Sequence, residues 1–379
     1  MPDSNRLKIK SLSVKGFKSI NNEGENISFN DITVLLGANG AGKSNLVSFF
    51  SLINYMISGG LQKWVSDNGF ASSLLFYGLK NTTRIEASLR FASDDFEDEY
   101  AFILSHAAGD KMIINEEKVT YKKKGFSKPY VKILDFGVKE STLSTRLENT
   151  KENKPIIVLS SILRSCRVFQ FHDTSLTAHV RNKSYVEDNR YLRSDGGNLS
   201  AFLYNLQLNF PKYYDRIVRH LNAVIPQFKD FALRPSTENN KYIGLDWISY
   251  NEDYLLGAHQ ISDGSIRFMC LSTLLLQPKE LIPSVIIIDE PELGLHPSAI
   301  AKLSGMIKIA SKNAQIILAT QSPNLVDNFD LDDIIIVERN PVDGSSNFKK
   351  LDEEKLSQWL DEYTLSELWE KNVIGGQPA

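Results

Sequence analysis

Little sulfur chemistry is open to this chain, whose two cysteines, Cys166 and Cys270, lie far apart and without ligand spacing. That excludes a disulfide framework and a zinc-ligand set, and it fits a reducing cytosol. A charge excess is lacking as well. The 43 Lys and Arg stand against 46 Asp and Glu for a formal net charge of -3, so the whole molecule is no polycation and any nucleic-acid contact must come from a local patch. No apolar run approaches the roughly 20 residues of a bilayer span, and Met1–Arg6 is polar with no apolar segment behind it. The sequence therefore predicts a cytoplasmic protein, neither inserted in a membrane nor secreted. What is present, in 379 residues, is 42% hydrophobic and 23% charged, enough apolar mass for one large domain or two lobes.

Periodicity supplies the elements. Ile9, Leu12 and Val14 ahead of Gly16 and Phe17 read as a strand, and Ile32–Leu36 as a second. The second runs into a glycine-rich turn and then an apolar stretch at helical spacing, Leu46–Met56. Four alternating runs, Arg84–Phe91, Tyr100–Ser105, Lys118–Tyr121 and Tyr130–Leu134, predict an antiparallel meander. Ser141–Lys154 is polar and reads as a loop or exposed helix end, followed by strands at Ile156–Leu159 and Arg167–Phe171. Leu199, Phe202, Leu203 and Leu206 set a helical spacing within Asn198–Val224, which Pro226 breaks. Phe231–Trp247 reads as a hairpin. A helix is expected to start near Asp263, strands at Val285–Ile288 and Ile316–Ala319, a turn at Pro323, and an amphipathic helical tail from Leu351 that ends in a flexible Gly375–Ala379.

Two motifs carry chemistry. Gly37-Ala38-Asn39-Gly40-Ala41-Gly42-Lys43-Ser44 lies between a strand and a helix, as a phosphate-binding loop requires. Its glycines let backbone N–H groups curl around phosphates at a helix N-terminus, where the helix dipole favours anions. Lys43 is suited to neutralise the outer phosphates of ATP, and the Ser44 hydroxyl to bind magnesium. The spacing is not that of a dinucleotide site. The second motif is Val285-Ile286-Ile287-Ile288-Asp289-Glu290, a run buried on both faces whose carboxylates stand at the end of the strand where ligands bind in α/β sheets. Asp289 is suited to the magnesium shell, and Glu290 to orienting or deprotonating the attacking water.

These motifs resemble the RecF/SMC branch of the ABC-type ATPases, and more narrowly the stand-alone bacterial RecF-like ATP-binding proteins called AAA-family ATPases. The resemblance includes Gly16-Phe17-Lys18-Ser19, the continuation Lys43-Ser44-Asn45, Phe169 to Ser175, Asp289 to Pro297, and the closing Gly375-Gly376-Gln377-Pro378. It implies further roles. Ser262-Asp263-Gly264-Ser265 resembles the signature that reaches across a dimer to the partner's nucleotide, with Ser262 and Gly264 as contacts; Asp263 departs from the usual glycine, and Ser262 alternatively reads as a plain helix N-cap. Gln170 resembles the glutamine that senses magnesium, and reads equally as a strand residue. Leu293–His296 matches the D-loop. Gln321 stands where ABC proteins usually carry a histidine; an amide cannot carry that charge, which implies a slow ATPase.

The fold expected is thus α/β: a P-loop NTPase with an ABC-type ATPase head, an antiparallel β-meander and an inserted, mainly helical lobe. The expected division runs 1–170 for the N-terminal part of the head, 171–260 for the inserted lobe, 261–345 for the C-terminal part, and 346–379 for a helical tail. The resemblance implies a homodimer closing head to tail around ATP and magnesium. It leaves open whether that dimer acts on DNA, in genome maintenance or phage defence, or controls an effector protein such as a toxin or nuclease. Lys118–Lys132 holds six lysines and no acid among Tyr121, Phe126 and Tyr130, which reads as a DNA-backbone patch or as a solvated hairpin tip. The atypical signature and switch argue against a transporter subunit. His172 and His179 lack metal-site spacing.

Overall fold

A computed structural model describes residues 6–126, 128–143, 154–250 and 255–377. Two six-stranded sheets organise it. The first runs β17 (Ser346–Lys350), β16 (Ile334–Arg339), β3 (Ile32–Leu36), β15 (Gln315–Thr320), β14 (Val285–Asp289), β8 (Cys166–Phe169), parallel except for the antiparallel β16–β17 pair. Every residue of β3, β14 and β15 is buried, as strands covered on both faces must be. The second sheet is antiparallel, in the order β2 (Glu25–Ser28), β1 (Lys8–Lys15), β4 (Arg84–Ala92), β5 (Phe96–Ala107), β6 (Lys111–Lys123), β7 (Tyr130–Asp135). The last four are the expected meander. Buried and partly exposed residues alternate along β4, the signature of a sheet with one face on the core.

Between the sheets lies helix α1 (Lys43–Ile57), which follows the phosphate-binding loop. Its Leu46, Phe49, Phe50 and Ile53 pack with Leu12, Ile85, Leu89 and Phe102 of the antiparallel sheet and with Ile287 and Ile317 of the parallel one. Ile286, Ile288, Ile316 and Leu318 point the opposite way, into a second core shared with the helices Leu199–Asn209, Asp263–Leu276 and Pro297–Ala310. The order of layers is therefore antiparallel sheet, α1, parallel sheet, helices. Among the described residues no helix is long and apolar enough to cross a membrane.

Several expectations need correction. Ile156–Leu159 is not a strand but part of the helix Lys154–Arg164, because Ile156, Leu159 and Leu163, at helical spacing, bury one stripe in the α1 core. Phe231–Trp247 is not a simple hairpin. Its outer strands β10 (Phe228–Phe231) and β12 (Trp247–Ser249) pair with each other, while β11 (Tyr242–Ile243) pairs with the distant β9 (Ser184–Tyr185); β13 (Leu255–Leu256) then pairs with β12. Pro323 begins a short helix, Pro323–Val326, where a turn was expected. The tail from Leu351 is helical as expected, in two helices, Glu353–Leu360 and Leu365–Glu370. Gly375 and Gly376, expected to be flexible, are held against the phosphate-binding loop. Of the expected loop Ser141–Lys154, residues 144–153 lie outside the described residues.

Candidate functional site

At the start of α1, Gly42 takes φ 116°, no side chain caps the helix, and no acid stands in its first turn. The backbone donors there are taken neither by a side-chain cap nor by an acid in the first turn, which leaves the helix start suited to an oxyanion. Gly40 is also left-handed at φ 80°, and a Cβ on Gly42 would collide with Ser346 Oγ, so this curl is open to glycine alone. Asn39, Gly40 and Ser44 face solvent, whereas Lys43 is 4% exposed. Its Nζ donates to the carbonyls of Gly37 at 2.7 Å and Ala38 at 2.9 Å. Burial lowers the Lys43 pKa, opposed by the negative charges of Glu290, Asp289 and Glu292. Ala41 is buried, and Asn45 donates through Nδ2 to Ser19 Oγ at 2.8 Å, tying the loop to the Gly16–Ser19 segment.

β14 delivers the acids to this loop through its place beside β15, which itself borders β3. Asp289 Oδ1 lies 3.5 Å from Ser44 Oγ, and Asp289 Oδ2 lies 3.4 Å from Gln170 Nε2 at the end of β8. Burial raises the pKa of Asp289, countered by His172. A buried carboxylate beside a hydroxyl offers the hard oxygen ligands that suit magnesium, while Gln170 turns its amide N–H toward the acid. Glu290 leaves the strand at φ 44°, rarely adopted by residues with a Cβ and a mark of strained functional backbone. Its Oε1 is 3.5 Å from Gln321 Nε2. Lys43, Ser44, Gln170, Asp289, Glu290 and Gln321 are thus brought together.

Ser262 and Gly264 are not part of that cluster. Ser262 caps the helix Asp263–Leu276, its Oγ accepting from Ser265 N at 3.2 Å, and among the described residues neither residue bonds to the loop of its own chain. This helix start lies against the D-loop: a Cβ on Gly264 would collide with the Gly294 carbonyl. Ser262 and Asp263 are exposed.

Four residues here make contacts to which no sequence signal pointed. Arg181, its side chain 5% exposed, bonds Asp263 at 2.7 Å and the carbonyl of Ile261 at 3.0 Å, so the acid that departs from the usual signature is neutralised and its helix start pinned. Arg267 donates to the carbonyls of Phe171, His172 and Leu293 at 3.0, 2.8 and 3.1 Å, joining the segment after Gln170 to the D-loop. His172 Nε2 lies 2.9 Å from the Asp289 carbonyl. Glu292, 9% exposed and with its pKa raised by burial, accepts from Thr320 Oγ1 at 2.5 Å and so ties the D-loop to the end of β15, next to Gln321. A single arginine or glutamate carries no spacing signal by which the sequence could have revealed it.

A phosphate-binding loop opening α1, with paired acids delivered by a neighbouring parallel strand and an antiparallel sheet laid over the helix, defines a P-loop ATPase head of the ABC type. The family model described as "AAA domain, putative AbiEii toxin, Type IV TA system" matches residues 32–327, and the chain belongs to that family of ATP-hydrolysing domains. Its fold is that of SMC heads. An Smc head bound to the C-winged helix domain of ScpA superposes with a TM-score of 0.60 at 20% identity, covering 92% of this chain and 99% of that one. The Pyrococcus furiosus Smc head with an extended coiled coil, bound to the C-terminal domain of ScpA, gives 0.57 at 16%, covering 94% and 99%. The Pyrococcus yayanosii Smc head with a coiled coil and joint gives 0.51 at 15%, again covering 94% and 99%. No curated protein matches the chain.

Proposed function

We propose that this ATPase is a magnesium-dependent switch in which two copies close head to tail around ATP. The observation that carries the reading is the separation of the site into two halves. One half holds the loop and the acids, while the other is the helix start, where Ser262 and Asp263 face solvent, Gly264 is half-buried, and the acid is neutralised by Arg181. An anion-suited helix end that does not serve its own loop is supplied to a second copy. Lys43 and the free backbone N–H groups at the start of α1 would bind the triphosphate, Ser44, Asp289 and Gln170 would hold magnesium, and Gln321 would stand near the γ-phosphate. Bound magnesium supplies neutralising charge on the phosphate oxygens. Glu290, its oxygen beside Gln321, orients the attacking water and takes its proton. Hydrolysis reopens the pair. The test is Glu290→Gln, which keeps the shape and removes the base. With ATP and magnesium it should persist as a dimer and turn over at least about a hundredfold more slowly; turnover at the parent rate sinks the assignment.

The load on which this switch acts is DNA, in genome maintenance or defence, or an effector protein. For DNA, the exposed Lys122–Lys124 would contact phosphates. A structural observation favours the second reading: β5 sets Glu97 opposite Lys122 and Glu99 opposite Thr120, and Lys118 pairs with Glu116 at 2.9 Å, so acids flank the lysines. Being bound to a domain of another protein, as the Smc head of the solved structure is to ScpA, supports it too. DNA binding that is ATP-dependent, salt-sensitive and lost on neutralising Lys122–Lys124 decides for DNA. Co-purification of a partner without DNA affinity decides for the effector.

A further inference from the structure

The segment 365–377 reaches the site from outside both sequence motifs. Leu368, Trp369 and Ile374 are buried, Val373 N donates to Leu368 O at 2.9 Å, and Gln377 Nε2 donates to Trp369 O at 3.1 Å, so the chain after the helix Leu365–Glu370 is folded back on it. Gly375 and Gly376 both take φ 83°. At the tip, the Ala38 N–H donates to the Gly376 carbonyl at 2.8 Å, while the Gly376 N–H donates to Glu338 Oε1 at 2.8 Å.

Ala38 is the residue whose carbonyl, with that of Gly37, receives the Lys43 ammonium. The same two residues are therefore gripped on one side by the phosphate-clamping lysine and on the other by Gly376. The approach is close on every side. A Cβ on Gly37 would collide with the Val337 carbonyl, and one on Gly376 would come within 3.0 Å of Trp369 Nε1, 3.1 Å of Ile336 Cγ2 and 3.6 Å of Gly37 Cα. The other end of the segment is tied across the site: Ser366 donates through N and Oγ to Asp327 at 2.8 and 2.6 Å. Asp327 ends the helix Pro323–Val326, which begins two residues after Gln321. One continuous strap thus joins the first turn of the phosphate-binding loop to the helix behind Gln321.

We propose that Gly375–Gly376 is a positioning element of the nucleotide site, holding Gly37–Ala38 so that Lys43 and the loop N–H groups meet the phosphates in register. The proposal rests on the nucleotide-binding reading and adds the strap to it. A segment that merely closed the core would support the fold and leave nucleotide affinity alone. Displacing a binding loop by a fraction of an ångström costs affinity directly, on the order of tenfold.

The test uses the full chain carrying Gly376→Ala, and separately Glu338→Leu and Glu338→Gln. Two readouts are taken: the Kd for a fluorescent ATP analogue with magnesium, and the nucleotide-induced rise in Tm. Gly376→Ala should raise Kd by about tenfold and shrink the Tm rise. Glu338→Leu, which removes the acceptor for the Gly376 N–H, should act the same way, and Glu338→Gln, whose amide oxygen still accepts, should keep the parent Kd. A folded Gly376→Ala protein with the parent Kd overturns the proposal. Should Gly376→Ala fail to fold, parent-like binding by Glu338→Leu overturns it equally. Absence of nucleotide binding in the parent protein would instead refute the ATPase reading itself, a separate result.

Discussion

Replacing Glu117 by Gln should make the protein more stable than the parent at alkaline pH and leave it near the parent at acidic pH. Glu117, in β6, is fully buried, accepts from Tyr100 Oη at 2.6 Å and Ser141 Oγ at 2.9 Å, and stands opposite Asp135 of β7. Burial pushes its pKa from 4.5 up to about 7; the two hydroxyl donors pull it down and Asp135 adds to the rise. The sign follows directly. A carboxyl whose pKa is raised by folding binds its proton more tightly in the native state, so its contribution is complete below about pH 4.5 and is lost as pH climbs through about 7. Across that window the loss is about 3 kcal/mol, at about 1.4 kcal/mol for each pH unit between the two values. For a domain of this size that is a fall in Tm of about 5 °C. Gln keeps an oxygen for Tyr100 and Ser141, offers its amide to Asp135, and cannot ionise. Thermal melts of parent and Glu117→Gln at pH 5 and pH 8.5, at one ionic strength, cancel the other titrating groups in the difference. A difference that is the same at both pH values refutes the reasoning.

Lys43→Ala should abolish the nucleotide-induced rise in Tm while leaving the unliganded melt within about 2 °C of the parent, as differential scanning fluorimetry would read. Asp289→Asn should leave an ATP analogue bound but cost roughly tenfold or more in the magnesium concentration needed for half-maximal turnover, measured by phosphate release against a magnesium titration. Gly264→Val, whose side chain would run into the Gly294 carbonyl, should preserve analogue binding and reduce turnover by about a hundredfold; a parent-like rate would show that this helix start does not contribute to the site.

How legible the molecule was in its sequence depended on how local each signal is. Residues 37–44 and the strand ending at Asp289 and Glu290 are contiguous, and their chemistry could be read before any fold was known. The meander announced itself by its alternation, because one face of that sheet is buried. Gln170 and Gln321 were reached only through resemblance, and it is the parallel register of β8, β14 and β15 that carries them to the acids. Arg181 sits 82 positions from the Asp263 it neutralises, and nothing nearby in the chain predicts that pairing. Ile156–Leu159 misled because four apolar residues fit a strand and a helix alike, and only the α1 groove decides. Gly375–Gly376 misled for the opposite reason: two glycines in a polar tail look unconstrained until the surface they pack against, Gly37 and Ala38, is in view.

The head-to-tail arrangement is open to a single decisive measurement. Lys43→Ala and Gly264→Val each disable one half of the composite site, so each protein alone should turn over at no more than about a hundredth of the parental rate. Mixed in equal amounts, they should form heterodimers in which the intact loop of one copy meets the intact helix start of the other, restoring about a quarter of parental ATP turnover. A mixture no more active than its two components measured separately would contradict the shared site.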